Sequence, residues 1–144
     1  MRLGVIGLPG LAEVLAEYGI ATIGNPTEHL VSSTLIRQEI GSLDGVIVGT
    51  TQVQGLVTWI ARRMDRGDRF VHLRLPGAEP LPCLNMDFPC RLNDLLAAFG
   101  GSVPVDGQVP VLMLSEGRVL RGFAAAGAGS MPPPPPRMAV PVGD

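Results

Sequence analysis

The chain contains no lysine, because all eleven of its basic residues are arginine. A Walker A loop needs a lysine on the nucleotide phosphates, and Schiff-base chemistry needs a lysine amine, so the sequence excludes both kinds of site. Cysteine is also scarce, and two thiols, Cys83 and Cys90, are too few for a disulfide framework. The net charge of -2 provides no basic surface of the kind that binds nucleic acid.

Long hydrophobic runs are missing as well. No stretch approaches the roughly 20 apolar residues that a membrane-spanning helix needs. The N-terminus, MRLGVIGL, enters an apolar run of one strand's length and has no signal-peptide hydrophobic region. These absences predict a cytoplasmic protein without a membrane span. The 144 residues, 46% of them hydrophobic, suffice for one domain with one buried core.

Short apolar segments alternate with segments of helical periodicity through the first two-thirds of the chain. The segments that predict strands are residues 3–8, 20–23, 43–48, 69–75 and 83–86. Helical spacing of apolar residues follows most of these strands, although residues 76–82 contain too much proline for a regular helix. Parallel strands need helical crossovers, so this alternation predicts an α/β fold with a doubly wound, mostly parallel sheet.

The pattern changes after Gly101. Two apolar segments joined by Glu116 and Gly117 predict a C-terminal β-hairpin. Small residues and then five consecutive prolines follow, a composition typical of an extended linker or tail. The predicted organisation is an α/β domain at residues 1–101, a hairpin extension at 102–126 and a disordered proline-rich tail or linker at 127–144.

The predicted hairpin is apolar on both strands, which indicates burial of both of its faces. We expect it to pack on the edge of the sheet near residues 83–86, extending that sheet or pairing with the hairpin of a second copy. The alternative is that it only completes the core of a monomer. The predicted interaction residues are Leu112, Leu114, Val119 and Phe123.

Glycines and threonines stand where two of the strands give way to helices. Backbone N–H groups in such turns can hold an anion, and the residues of this candidate site are Gly7, Gly10, Gly49, Thr50 and Thr51. A dinucleotide fingerprint counted from Gly7 fails at its second glycine, because Pro9 has no N–H, and a plain strand–helix turn is favoured. An N-cap is likewise favoured at Thr50 or Thr51.

Groups suited to metal binding or catalysis are few. A metal site would have to be built from His72, Cys83, Asp87 and Cys90, but the two cysteines are spaced more widely than in structural zinc sites. The serines and threonine at residues 32–34 lie in a predicted helix and lack the G-x-S-x-G turn of a nucleophile elbow. The sequence therefore predicts no catalytic residue, no metal and no cofactor, and the chain is not expected to be an enzyme.

Three patterns together resemble the response-regulator receiver domain, which has the flavodoxin-like, CheY-like fold. The segment DGVIVG at residues 44–49 resembles the third receiver strand, which leads to the phosphoacceptor aspartate. The segment FPCRLNDLL at residues 88–96 resembles the stretch after the fifth strand, where a lysine–proline pair precedes a helix. The alternation over residues 2–101 has a similar spacing. A generic α/β sheet is the alternative reading of the same residues.

The departures from this family concern its chemistry. Gly49 stands where the receiver has its phosphoacceptor aspartate, Phe88 where it has its lysine, and Leu8 and Pro9 where it has an acidic pair for Mg2+. Phosphotransfer to an aspartate needs all three groups. The resemblance therefore implies a pseudo-receiver that does not transfer phosphate.

Pseudo-receivers of this kind resemble the N-terminal modules of some MinD/ParA-like ATPases, including those of pilus-assembly systems. There a flexible linker leads to the ATPase, and Pro132 to Pro136 are similar to such a linker. The predicted function is a non-catalytic regulatory or protein-interaction module, with a protein partner or self-association. The alternatives are a small-anion or nucleotide-binding domain and a homo-oligomeric assembly subunit.

Overall fold

The computed structural model describes residues 1–24, 40–49 and 55–125. Five strands in these ranges form one sheet, and they are β1 (Arg2–Ile6), β2 (Ala21–Ile23), β3 (Gly45–Val48), β4 (Phe70–Arg74) and β5 (Leu84–Asp87). The strands lie in the order β2-β1-β3-β4-β5, and every neighbouring pair is parallel. The prediction of an α/β fold with a mostly parallel sheet is confirmed.

Three α-helices accompany this sheet in the described residues, namely α1 (Leu11–Ala16), α2 (Leu56–Asp65) and α3 (Leu92–Ala97). A short 3-10 turn, Ile40–Ser42, precedes β3. The helix predicted after Thr27 and the turn at Thr50 and Thr51 lie outside the described ranges. Residues 75–83 contain no helix, as the prolines predict. None of the described helices is long and apolar enough to cross a membrane.

Alternating side chains of the strands belong to two separate apolar clusters. Leu3 and Val5 belong to the cluster that contains buried residues of α1 and α3. Ile6 belongs to the cluster that contains buried residues of α2. Successive residues of a strand point to opposite faces, so helices cover both faces of the sheet. On the α2 side, the Trp59 ring meets the Phe70 ring edge-on, with centroids 5.3 Å apart.

A second, antiparallel sheet follows the first. It consists of β6 (Cys90–Arg91), β7 (Gln108–Ser115) and β8 (Arg118–Ala125), in the order β6-β7-β8. The predicted hairpin is therefore confirmed, with Glu116 and Gly117 at its turn. The two-residue strand β6 was not predicted, because it is too short to show a periodic pattern. It begins directly after the cis peptide bond between Phe88 and Pro89.

The predicted extension of the parallel sheet by the hairpin, at the edge near β5, was wrong, whereas its pairing with a second copy stays a prediction. Cys90 of β6 pairs with Leu112 of β7, so the hairpin forms its own sheet and does not extend the parallel one. Leu112 and Val119 are buried in the same cluster as α1 and α3. The expected burial of both hairpin faces was also wrong, because three apolar side chains are exposed: Met113 by 44%, Leu120 by 45% and Phe123 by 52%.

Candidate functional site

The carboxyl ends of β1 and β3 lie side by side, and there Leu8 packs against Gly49. Leu8 is 1% exposed, and the Gly49 N–H donates to the carbonyl of Ile6 across 2.8 Å. A Cβ on Gly49 would lie within 3.0 Å of Leu8 side-chain atoms and 2.9 Å from the Gly7 carbonyl oxygen. Real Cβ atoms essentially never come this close, so the space beside Gly49 is filled by a leucine and has no room for another side chain.

The turn between β1 and α1 is covered by the hairpin. The N–H of Val119 in β8 donates to the carbonyl oxygen of Pro9 across 2.8 Å. Gly10 has φ 91, and a Cβ there would lie within 3.0 Å of the Val119 carbonyl oxygen. Because Gly10 is both left-handed and overlaid by backbone, only glycine fits this position without strain.

Glu13 of α1 and Glu17, the C-cap residue of that helix, face arginines of β8. The Glu13 carboxylate lies 3.3 Å from the Arg118 guanidinium, and Glu17 is paired with Arg121. Neither pair was predicted from the sequence. Glu13 and Glu17 stand four residues apart, a spacing that places them on one side of a helix. That spacing was the available signal, but nothing in it identifies a strand a hundred residues away as the partner.

The predicted anion site is only partly described. The structure brings Gly7 and Gly49 together, since the Gly7 carbonyl borders the space beside Gly49. Gly10 lies one turn further on and is buried beneath β8. Thr50 and Thr51 lie outside the described residues, so their part of the site stays a prediction.

A polar network lies between β4 and β5, on the face that α2 covers. His72 of β4 is fully buried, and its Nδ1 lies 2.7 Å from the Oδ1 of Asn85 in β5. Asn85 also bonds the backbone of the preceding loop, at Leu81 and Cys83. Burial lowers the pKa of His72, and the nearby Arg74 lowers it further, while the hydrogen bond that His72 makes to Asn85 Oδ1 and the charge of Asp87 oppose the change.

The two cysteines lie on opposite faces of the parallel sheet. Cys83 packs with the α2 cluster and Cys90 with the α1 and α3 cluster, and both thiols are free. Burial raises the pKa of Cys83 to about 11 and that of Cys90 to about 12. Across residues 1–24, 40–49 and 55–125, no three His, Cys, Asp or Glu side chains are close enough together to hold a metal ion.

The four predicted interaction residues differ in accessibility. Leu112 and Val119 are core residues, at 0% and 1% exposure, and Leu114 is partly buried against the same cluster. Phe123 is 52% exposed, and the Arg121 guanidinium lies 5.0 Å from its ring centroid. A side chain buried within one chain offers no contact to a second, so Phe123 is the most accessible of the four.

Phe88, which the resemblance predicts to stand where a receiver has its lysine, follows β5 and is partly buried against the α1 and α3 cluster. Its ring thus belongs to the core, in the same cluster as Leu8.

Comparison with known proteins found no match for this chain among protein-family models, curated proteins or solved structures.

Proposed function

We propose that this chain is a non-catalytic pseudo-receiver that acts as a regulatory or protein-interaction module. The parallel strand order β2-β1-β3-β4-β5 supports the doubly wound, flavodoxin-like topology, because 2-1-3-4-5 is the order of that fold. Helices on both faces of the sheet support the same topology.

The contact between Leu8 and Gly49 carries the non-catalytic part of this proposal. Phosphotransfer to a receiver aspartate requires a carboxylate at the end of the third strand and acidic groups at the end of the first, which hold a metal ion. Here these positions are a glycine and a buried leucine in contact, and an added Cβ would already overlap that leucine. Apolar packing occupies the volume that the chemistry of the family would need.

The position of the hairpin over the turn after β1 also supports the non-catalytic proposal. Ligands of doubly wound domains bind outside the carboxyl ends of the strands. Val119 covers the turn at Pro9 and Gly10 through a backbone hydrogen bond. A ligand at this turn would have to displace β8, and this disfavours the small-anion alternative at Gly10.

Phosphorylation chemistry provides the direct test of the non-catalytic role. Incubation of the folded chain with acetyl phosphate and Mg2+, followed by intact-mass spectrometry, is expected to leave the mass unchanged. A genuine receiver domain treated in parallel serves as the positive control. A stoichiometric adduct that hydroxylamine removes would be an acyl phosphate on this chain, and it would contradict the proposal.

A regulatory role toward a MinD/ParA-like ATPase follows from the resemblance. Its test is the rate of ATP hydrolysis by an ATPase of that class from the same genome, with and without this chain. We expect the rate to change when the chain is added at stoichiometric concentration. An unchanged rate, together with no binding by calorimetry, would leave this ATPase without a role in the proposal.

Self-association is the second candidate, and the exposed Phe123 on β8 favours it. We expect a Phe123→Ser chain to have a lower average mass by light scattering than the wild type at the same concentration. Val57→Ser is the matched control, since Val57 is 54% exposed but lies on α2. A monomeric wild type would rule out self-association, and equal effects of the two substitutions would rule out the hairpin as its site.

A further inference from the structure

We propose that His72 and Asn85 form a pH-sensitive latch that holds the loop at residues 75–83 and strand β5 onto β4, and that protonation of His72 releases them. The latch is separate from the proposed interaction role, because its parts lie at β4 and β5 and not on the hairpin. It is built from the hydrogen-bond geometry of the two side chains.

The orientation of the Asn85 amide is determined by its backbone partners. Its Nδ2 donates to the carbonyl oxygens of Leu81 and Cys83, across 2.9 and 2.8 Å. Its Oδ1 accepts from the Leu81 N–H across 3.0 Å. A flipped amide would set oxygen against two carbonyls and NH2 against an N–H, so Oδ1 must be the atom that faces His72.

This orientation determines the tautomer of His72. Its Nδ1 lies 2.7 Å from an oxygen that only accepts, so Nδ1 carries the hydrogen and Nε2 of the neutral ring carries the lone pair. The ring is fully buried, and Nε2 has no hydrogen-bond partner in the described part of the chain. An added proton must therefore go to Nε2, where it creates a buried N–H that has no acceptor among the described residues.

The surroundings of His72 favour its neutral form. The charged groups that act on it among the described residues are Arg74, on β4, and Asp87, on β5, whose Nε and Oδ1 atoms are 3.4 Å apart. The opposite charges of this pair act on His72 in opposite directions. The Cys83 thiol, with its pKa raised to about 11, is neutral at physiological pH.

The other elements on this face add apolar groups. In β3, Val48 pairs in register with His72. Helix α2 turns Leu56 and Ile60 toward the same side of the sheet, and both are buried. In the described residues, Nε2 of His72 thus faces this side without a hydrogen-bond partner.

The cost of a buried, protonated His72 ring is removed most easily when the sheet opens at β5 and water reaches the ring. Strand β5 stands at the end of the sheet and exposes 52% of Leu84, whereas β3, on the other side of β4, lies inside the sheet. If Asn85 moves away, it takes with it the backbone bonds that hold Leu81 and Cys83. The loop and the edge strand therefore open together as one local unit.

The direction of the pH effect follows from the lowered pKa. In the open state His72 titrates near its ordinary value of 6.5, and in the latched state it titrates below that value. The open state therefore binds the proton first as the pH falls. The latch contributes its full stability above pH 6.5 and loses it as the pH decreases from 6.5 to the folded-state pKa.

Amide hydrogen exchange at several pH values, corrected for intrinsic rates, tests the latch. The Leu81 amide reports on it directly, and the Gly49 amide, bonded to Ile6 within the sheet, is the internal reference. We expect the protection of Leu81 to fall relative to Gly49 by about tenfold per pH unit within the window below pH 6.5. Equal pH dependence of the two amides would overturn the proposal.

Two substitutions test whether the pH dependence of Leu81 protection comes from the His72 ring. His72→Phe removes the titrating group and should abolish the pH dependence of the Leu81-to-Gly49 ratio, whatever its effect on stability. His29→Asn changes the only other histidine of the chain and should retain it. Retention in His72→Phe, or loss in His29→Asn, would contradict the latch.

A measurement on the wild-type chain keeps the test decisive if His72→Phe does not fold. Long-range proton–nitrogen NMR spectra distinguish the two ring nitrogens of a neutral histidine. We expect Nδ1 of His72 to carry the hydrogen at neutral pH. A hydrogen on Nε2 would show that Asn85 does not set the tautomer, and the proposal would fail.

Discussion

Val119 donates its backbone N–H to the carbonyl oxygen of Pro9 across 2.8 Å, and this bond joins the C-terminal hairpin to the first turn of the domain. The Val119 carbonyl lies directly over Gly10. The same strand carries the arginines that pair with Glu13 and Glu17. The hairpin is thus an integral cover of the α/β domain, and the end of β1 is closed by the chain's own backbone.

Because β8 covers the turn at Gly10, alanine should lower the free energy of unfolding more at Gly10 than at Gly19, although the two glycines have similar backbone conformations. Gly10 has φ 91 and lies under Val119, whereas Gly19 has φ 75 and nothing within 4 Å of its added Cβ. Gly19→Ala should cost about 1 kcal/mol through its left-handed backbone alone. Gly10→Ala should cost about 1–3 kcal/mol more, because the methyl group must displace β8. Urea unfolding measures both, and equal costs would mean that β8 does not cover the turn.

The packing of Leu8 on Gly49 predicts a cost for any side chain at residue 49. Gly49→Ala should lower the free energy of unfolding by about 1–3 kcal/mol, as overpacking of a core usually does. Gly41→Ala is the control, since nothing lies within 4 Å of its added Cβ and Gly41 is exposed. The double variant Leu8→Ala, Gly49→Ala should lose less free energy of unfolding than the sum of the two single variants. The smaller side chain at residue 8 makes room for the Cβ at residue 49, and that Cβ fills part of the space left by the leucine. Strict additivity would show that the two residues are not in contact.

The ion pair between Glu13 of α1 and Arg118 of β8 should contribute little to stability. The side chains of Arg118 and Glu13 are 53% and 66% exposed, so solvent screens their attraction. A double-mutant cycle with Glu13→Gln and Arg118→Gln should give a coupling of about 0.2–1 kcal/mol that shrinks as salt is added. A coupling that is large and insensitive to salt would indicate that the pair is buried.

Thiol labelling should follow the raised pKa values of the two cysteines. At pH 7.5 we expect N-ethylmaleimide to modify neither Cys83 nor Cys90 in the folded chain, and both in urea, as measured by intact mass. As the pH is raised, Cys83 should react first, because it is half-buried with a pKa of about 11, while Cys90 is buried with a pKa of about 12. Single Cys→Ala variants assign each adduct. Rapid labelling of Cys90 at pH 7.5 would contradict its burial.

Much of the local structure could be predicted from the sequence. Apolar runs of strand length, helical spacing of leucines and the turn at Glu116 and Gly117 are signals within a few neighbouring residues, and they identified the five parallel strands and the hairpin. These inferences succeed because periodicity and turn preference are properties of short segments.

Only the tertiary structure decided where the hairpin lies and what fills the end of β1. The two-residue strand β6 directs β7 onto the α1 and α3 face, and a pairing of two residues leaves no pattern in the sequence. Leu8 resembles any core leucine until β1 and β3 stand side by side, and His72 resembles any strand histidine until Asn85 faces it. Contacts between distant segments depend on register, crossing and shape, which side-chain periodicity does not encode. The sequence alone therefore determined the secondary-structure elements, and packing determined the position of the hairpin over the β1 turn and the network of His72 and Asn85.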